Sequence, residues 1–209
     1  MPIYISHRAK ILLYNNYKCI YSTLYHILTK DPTIIYHEGP LSNPSQFVDY
    51  THVIITRDPK SRIESIYRDK IINTLRLQSL SHRQTCQQLL QRALDSTPNI
   101  KTRIIRDISF QEFVKLLPQV VFSDPHFMPQ NLILGAYPLK IEEIIKMEAS
   151  NWISRVLFWI NKMLINPVKY LSNNNSTEHI SADTTWDDDT TTILFDLYHK
   201  DYTTFGYER

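Results

Sequence analysis

Apolar residues along the chain fall into two alternating patterns, short unbroken runs and longer stretches at helical spacing. The run at 9–14 (Ala-Lys-Ile-Leu-Leu-Tyr) predicts a strand buried on both faces, and Asn15-Asn16 predicts the turn that ends it. Ile20, Thr23, Leu24, Ile27 and Leu28 then recur with a helical period, which predicts a helix over 18–30 stopped by Asp31-Pro32. The sequence repeats this grammar: a run at 52–56 (His-Val-Ile-Ile-Thr), the break Arg57-Asp58-Pro59, and a helix from about 60 to beyond 76. In that helix Ile63, Ile66, Tyr67 and Ile71 share one face, and Pro59 suits its start.

The remaining pattern is less regular. A second short strand is expected at 33–36, a polar loop at 39–46, and a Gln- and Arg-rich surface helix at 81–94. Ser109-Phe110-Gln111-Glu112 has capping-box spacing, predicting a short helix that Pro118 ends, followed by a loop over 118–138. A further strand is expected at 142–147 and an amphipathic helix at about 149–164. The polar stretch 171–189 predicts a mobile loop, and a last helix spans 191–205. Strands separated by helices imply parallel pairing through right-handed crossovers, hence a three-layer α/β sandwich around a central parallel sheet. In such sheets ligands sit at the carboxyl ends of strands, where helix N-termini aim their amides.

Composition narrows the picture. At 209 residues and 43% hydrophobic, the chain has material for one sizeable core, so a single domain over 1–209 is expected. A net charge of +2 gives no electrostatic case for nucleic-acid binding, so phosphate recognition must be local. Cys19 and Cys86 stand apart without metal-ligand spacing, which predicts neither zinc nor a disulfide framework and fits a reducing compartment. The first ten residues hold His7, Arg8 and Lys10 and no long apolar run, so no signal peptide or membrane segment is expected. Three glycines cannot build a Gly-rich phosphate loop, so a phosphate would be held by hydroxyls, a lysine and helix-end amides.

Two strand-to-helix turns carry the chemistry. In Asn16-Tyr17-Lys18-Cys19-Ile20-Tyr21-Ser22-Thr23, Lys18 supplies charge, Ser22 and Thr23 supply hydroxyls, and the helix start supplies amides. The bland alternative is a surface lysine with two ordinary first-turn helix residues. In Arg57-Asp58-Pro59-Lys60-Ser61-Arg62-Ile63-Glu64-Ser65-Ile66-Tyr67, Arg57 can fork onto a phosphate and Ser65 can reach it from the helix. There the alternative is a local Arg57–Asp58 ion pair. Trp152, Phe158 and Trp159 at helical spacing read as core, and Asp187-Asp188-Asp189 as a solvated helix start; no metal site is expected.

The first turn resembles the 5′-phosphosulfate motif N-P-K-x-x-C-[ST]-[ST] of sulfotransferases that use 3′-phosphoadenosine 5′-phosphosulfate (PAPS), in their carbohydrate, membrane-type branch. The second resembles the 3′-phosphate motif R-D-P-x-x-R-x-x-S-x-Y of the same family and matches every stated position. Phe110-Gln111-Glu112-Phe113 resembles its F-x-x-F helix, 124–130 (Asp-Pro-His-Phe-Met-Pro-Gln) its D-x-H-[WF]-x-P-Q loop, and 198–207 its closing Y-x-x-D-[FY]-x-x-F-G-Y. The resemblance implies a P-loop NTPase-like sulfotransferase fold and transfer of a sulfuryl group from PAPS to a hydroxyl acceptor, a carbohydrate by branch. It implies donor contacts from Lys18, Cys19, Ser22, Thr23, Arg57 and Ser65, with Lys18 also catalytic, and no metal. A base is expected at His126, because an imidazole can accept a proton near neutral pH and its loop is expected to face the cleft, or at His37. Tyr17, Ile20 and Tyr21 depart from the motif's Pro, small residue and Cys, which keeps a nucleotide- or glycan-binding member without activity as the alternative. A phosphoryl-transfer enzyme is a further one. Glu178-His179-Ile180-Ser181 corresponds to a family loop that normally ends in Asn. The expected location is the cytoplasm, or the Golgi lumen if a membrane anchor belongs to the protein.

Overall fold

The computed structural model describes residues 2–73, 80–134, 140–171 and 181–208, and these form two compact units. The first unit comprises Met1–Asp58 and Gln130–Asn175 and carries the sheet. Its five strands, β1 (Pro2–Ser6), β2 (Ile11–Asn15), β3 (Ile34–Glu38), β4 (Thr51–Thr56) and β5 (Ile141–Lys146), lie in the order β3-β1-β2-β4-β5. β2, β4 and β5 are parallel, as their apolar runs predict. β1, however, pairs antiparallel with both β2 and β3, so the sheet is mixed.

The expectation of a wholly parallel sheet is therefore corrected at the strand that the sequence pattern missed. Pro2–Ser6 is five residues long with a proline and a serine in it, too short and mixed for a clear run, yet all five positions are buried. Residues 7–10 reverse the chain directly into β2, with Lys10 in the left-handed region at φ 52°. A link this short permits only antiparallel pairing, because a parallel neighbour needs a crossover of a dozen or more residues.

On one face of the sheet Tyr4, Ile11, Leu13, Ile34, Val53, Ile55 and Ile145 pack with Leu24 and Leu28 of α1 (Tyr21–Leu28). Val156, Ile160 and Met163 of α5 (Trp152–Met163) join the same cluster. Each such side chain withdrawn from water contributes about 1.5–3 kcal/mol. The Arg155 Nε donates to Glu143 Oε1 at 2.6 Å and ties α5 to β5. Ile3, Leu12, Tyr14 and Ile54, pointing the other way, are buried too, which is why these strands read as unbroken apolar runs.

The second unit, Pro59–Pro129 and Ser176–Arg209, is helical. It contains α2 (Pro59–Tyr67), α3 (Leu80–Asp95), α4 (Phe110–Val120) and α6 (Asp188–Phe205). α2 passes into a single π turn at Arg68–Ile72 and stops at Asn73, so the expected helix ends earlier; 74–76 lie outside the described residues. The capping box of α4 forms as predicted, with Glu112 N–H on Ser109 Oγ at 3.2 Å and Ser109 N–H on Glu112 Oε2 at 3.0 Å. Pro118 does not end α4. It removes one hydrogen-bond donor, while the Val121 N–H still reaches the Leu117 carbonyl at 2.8 Å and Leu116, Leu117 and Val120 stay buried in the core. Of the polar stretch expected to be mobile, 172–180 lie outside the described residues, and 181–187 form neither helix nor strand. That segment is held to α2 and α4: Arg68 Nη2 donates to Thr184 Oγ1 at 3.0 Å, Trp186 Nε1 to Glu64 Oε1 at 2.8 Å, and Gln111 Nε2 to the Thr185 carbonyl at 2.8 Å.

Candidate functional site

The turn from β2 into α1 is built on two residues in the left-handed region. Lys18 has φ 70° and Ile20 has φ 52°, ψ 24°. Left-handed backbone costs a residue with a Cβ roughly 1–2 kcal/mol, and for a β-branched isoleucine it is a genuine outlier. The turn is closed by the Cys19 N–H donating to the Asn16 carbonyl at 3.1 Å, and α1 begins at Tyr21, three residues later than the periodicity suggests. Alternation of left- and right-handed residues is how a backbone turns successive amides to one concave side, and the α1 N-cap, Ile20, has no side-chain acceptor for the helix amides. The Asn16 side chain is fully buried, and neither its Oδ1 nor its Nδ2 has a protein partner. Orphaned buried amides are costly unless something else bonds them. Ser22 is half-buried on the first turn of α1, and Thr23 is buried beside it.

β4 is the parallel neighbour of β2, with Asn15 opposite Ile55, so the chain leaves both strands at the same edge of the sheet. Arg57 follows at once. Its Nη1 donates to the Lys18 carbonyl at 3.4 Å, which brings the two turns singled out from the sequence into contact. Gln130, fully buried, fixes this arrangement: its Oε1 accepts from the Arg57 N–H at 2.9 Å and from Cys19 Sγ at 3.6 Å, and its Nε2 donates to the Arg57 carbonyl at 2.6 Å. Glu148 Oε1 accepts the Asp58 N–H at 2.9 Å, so this glutamate shapes the same turn. Sequence reasoning placed Gln130 at the end of a motif without giving it a task; the signal available was its position closing that motif.

The other residues singled out belong to the second unit. Ser65 is buried on α2. One turn before it, Arg62 is fully buried; its Nη2 donates to the carbonyls of Phe127 at 3.3 Å and Met128 at 2.5 Å, and its guanidinium lies 5.6 Å from the Tyr198 ring centre. The Tyr198 hydroxyl also donates to the Phe127 carbonyl, at 2.5 Å. These contacts lock the loop that carries His126. Asp124 Oδ1 accepts both the His126 N–H and its Nδ1, each at 2.7 Å. Burial pushes the Asp124 carboxyl up, but the hydrogen bonds and charge of His126, with Lys70, outweigh it and hold the group below its usual value. The Asp124 carboxylate, bonded to Nδ1, fixes the orientation of the His126 ring.

His37, the rival base, sits on β3 with Nε2 donating to the Pro40 carbonyl at 3.0 Å. Its neighbour Glu38 accepts from the hydroxyls of Tyr17 and Tyr36. Thus Lys18, Cys19, Ser22, Thr23, Arg57 and His37 belong to the first unit, with Lys18 and Arg57 joined directly, while Ser65 and His126 belong to the second. Of the loop 178–181, only Ser181 is among the described residues. Among those residues no group of three or more His, Cys, Asp or Glu side chains is placed to hold a metal ion, and no helix is long and apolar enough to cross a membrane.

The mixed sheet thus sets two strand-to-helix turns beside each other, one carrying Lys18 and the other Arg57. A family model described as the sulfotransferase family matches residues 37–208, and the chain belongs to that family. Membership makes it an enzyme of sulfate transfer. The match covers Arg57, Ser65, His126 and Gln130, and it begins after the turn at 16–23 that carries the substitutions. No curated protein and no solved structure matches the chain.

Proposed function

We propose that the protein transfers a sulfuryl group from PAPS to a hydroxyl of a carbohydrate acceptor. The contact between Arg57 and the Lys18 turn carries this reading, because a nucleotide with anionic groups at both its 5′ and 3′ positions needs two cationic pockets close together. In the first, Lys18, the amides of the left-handed turn, Ser22 and Thr23 hold the 5′-phosphosulfate, with Cys19 seated on Gln130 beneath it and the orphaned Asn16 amide available to bond an oxygen. In the second, Arg57 and Ser65 hold the 3′-phosphate. The wider arrangement we infer is the three-layer, P-loop NTPase-like one that the motifs imply. The acceptor oxygen attacks sulfur in line; the bond from sulfur to the bridging oxygen breaks, and its electron pair leaves with the 5′-phosphate, so the second product is adenosine 3′,5′-bisphosphate. Lys18 stabilises the charge growing on that leaving oxygen. The acceptor proton passes to a base, for which His126 is favoured because Asp124 holds its ring in place.

We favour an active enzyme over a binding protein because the Tyr17 and Tyr21 hydroxyls bond Glu38 and Tyr36, and the sequence keeps the motif's spacing from Lys18 to Ser22 and Thr23. Cys19 and Cys86 are few, far apart in the sequence and both buried, and we infer a reducing compartment, the cytoplasm, from that usage. The test is transfer of labelled sulfate from PAPS to a panel of glycans. Lys18→Ala is expected to lower turnover by about 10²-fold or more, the scale for losing a preorganised charge-stabilising group, with an unchanged circular dichroism spectrum. Wild-type turnover in that variant contradicts the assignment.

A further inference from the structure

The proposed transfer leaves unused a patch of tyrosines beside the Lys18 turn. Tyr17 and Tyr21 stand where the resembled motif has Pro and Cys, and they join Tyr25 and Tyr36 in a chain of rings. Centroids lie 5.0 Å apart from Tyr17 to Tyr21, 5.7 Å from Tyr21 to Tyr25, and 5.2 Å from Tyr25 to Tyr36, the last pair edge to face. Two of their hydroxyls converge on one carboxylate. Tyr17 Oη donates to Glu38 Oε1, Tyr36 Oη donates to Glu38 Oε2 at 3.4 Å, and the Tyr21 and Tyr36 hydroxyls lie 3.3 Å apart. Tyr25 is 43% exposed and Glu38 is exposed, so the patch offers solvent a ring and, linked to it through Tyr36, a carboxylate held by two phenols.

Three chemistries of acceptor are separable here. A phenol or a lipid alcohol brings a single hydroxyl donor, and a lipid tail would also desolvate the carboxylate, at a cost of a few kcal/mol. A pyranose matches both parts, because its C–H face covers an aromatic ring while its rim of hydroxyls donates to the two oxygens of a carboxylate. We propose that this patch is the acceptor subsite and that it takes a saccharide ring, laid on Tyr25 and hydrogen-bonded to Glu38; the inference rests on the sulfate-transfer reading of the adjacent Lys18 turn. The tyrosines that depart from the motif are then what sets the acceptor class.

Saturation-transfer NMR on the full chain, with unsulfated disaccharides and simple phenols as probes and adenosine 3′,5′-bisphosphate present or absent, reads binding without turnover. Tyr25→Ala removes an exposed ring and Glu38→Gln is isosteric, so both variants keep the fold. Each is expected to weaken disaccharide binding by about tenfold, the loss of one ring contact or one charge-assisted hydrogen bond. Nucleotide affinity is expected to stay unchanged. Saccharide binding that ignores both substitutions, or phenols that bind where disaccharides do not, overturns the subsite. If the nucleotide fails to bind while disaccharide binding still depends on Tyr25 and Glu38, the donor reading falls and the subsite stands.

Discussion

At the scale of single residues, the groups we propose for ligand binding differ from groups that hold others in place. Arg62 belongs to the second kind. Its guanidinium is buried on the carbonyls of Phe127 and Met128, so Arg62→Ala leaves two acceptors stranded and opens a cavity, with an expected loss of about 3 kcal/mol or more in urea denaturation. A loss well under 1 kcal/mol would show that the contacts count for little. Asp124 and Asp31 predict the acid limb of stability. Asp31 is held low by the Thr33 hydroxyl and by the Ile165 N–H at 2.6 Å, against the opposing effect of burial, and Asp124 is held low by His126 despite burial. A carboxyl depressed in the folded state contributes in full above its unfolded value, about 3.9, and loses that contribution as pH falls through the lower folded value. Stability is therefore expected to decline below about pH 4, and Asp124→Asn to flatten the decline; an equally steep limb in the variant contradicts the assignment. Lys18, Arg57 and Ser65 could be singled out from the sequence because charged and hydroxylated residues between an apolar run and a helical period have few bland uses. The tasks of Gln130 and Glu38 were not legible, because they come from contacts with residues far away in the chain.

At the scale of elements, local chemistry predicted best where it acts over three or four residues. The box at Ser109 and Glu112 formed, and Ser109→Ala is expected to cost about 1 kcal/mol in thermal or urea unfolding while leaving nucleotide affinity intact. A loss of nucleotide affinity in that variant would mean that α4 does more than pack. The same reasoning failed at Pro118, where burial of Leu116, Leu117 and Val120 outweighs one missing hydrogen bond. It failed again at the start of α1, where two left-handed residues delay the helix; no apolar period records a residue's φ, and Lys18 and Ile20 are not the glycines that usually signal it.

At the scale of the whole molecule, the α/β class and the parallel pairing of β2, β4 and β5 were legible because buried parallel strands leave unbroken runs. The mixed character of the sheet was not, because β1 owes its burial to its neighbours rather than to a pattern of its own. The order β2-β4 matters most for function, since it sets the Lys18 and Arg57 turns side by side. The central claim, that these turns hold one nucleotide, is tested most directly by titration calorimetry of adenosine 3′,5′-bisphosphate into wild type and Arg57→Ala. Saturable binding of one nucleotide per chain is expected, weakened in the variant by about 1.5–3 kcal/mol for the lost charged hydrogen bonds. No binding to wild type, or equal affinity in Arg57→Ala, would contradict it.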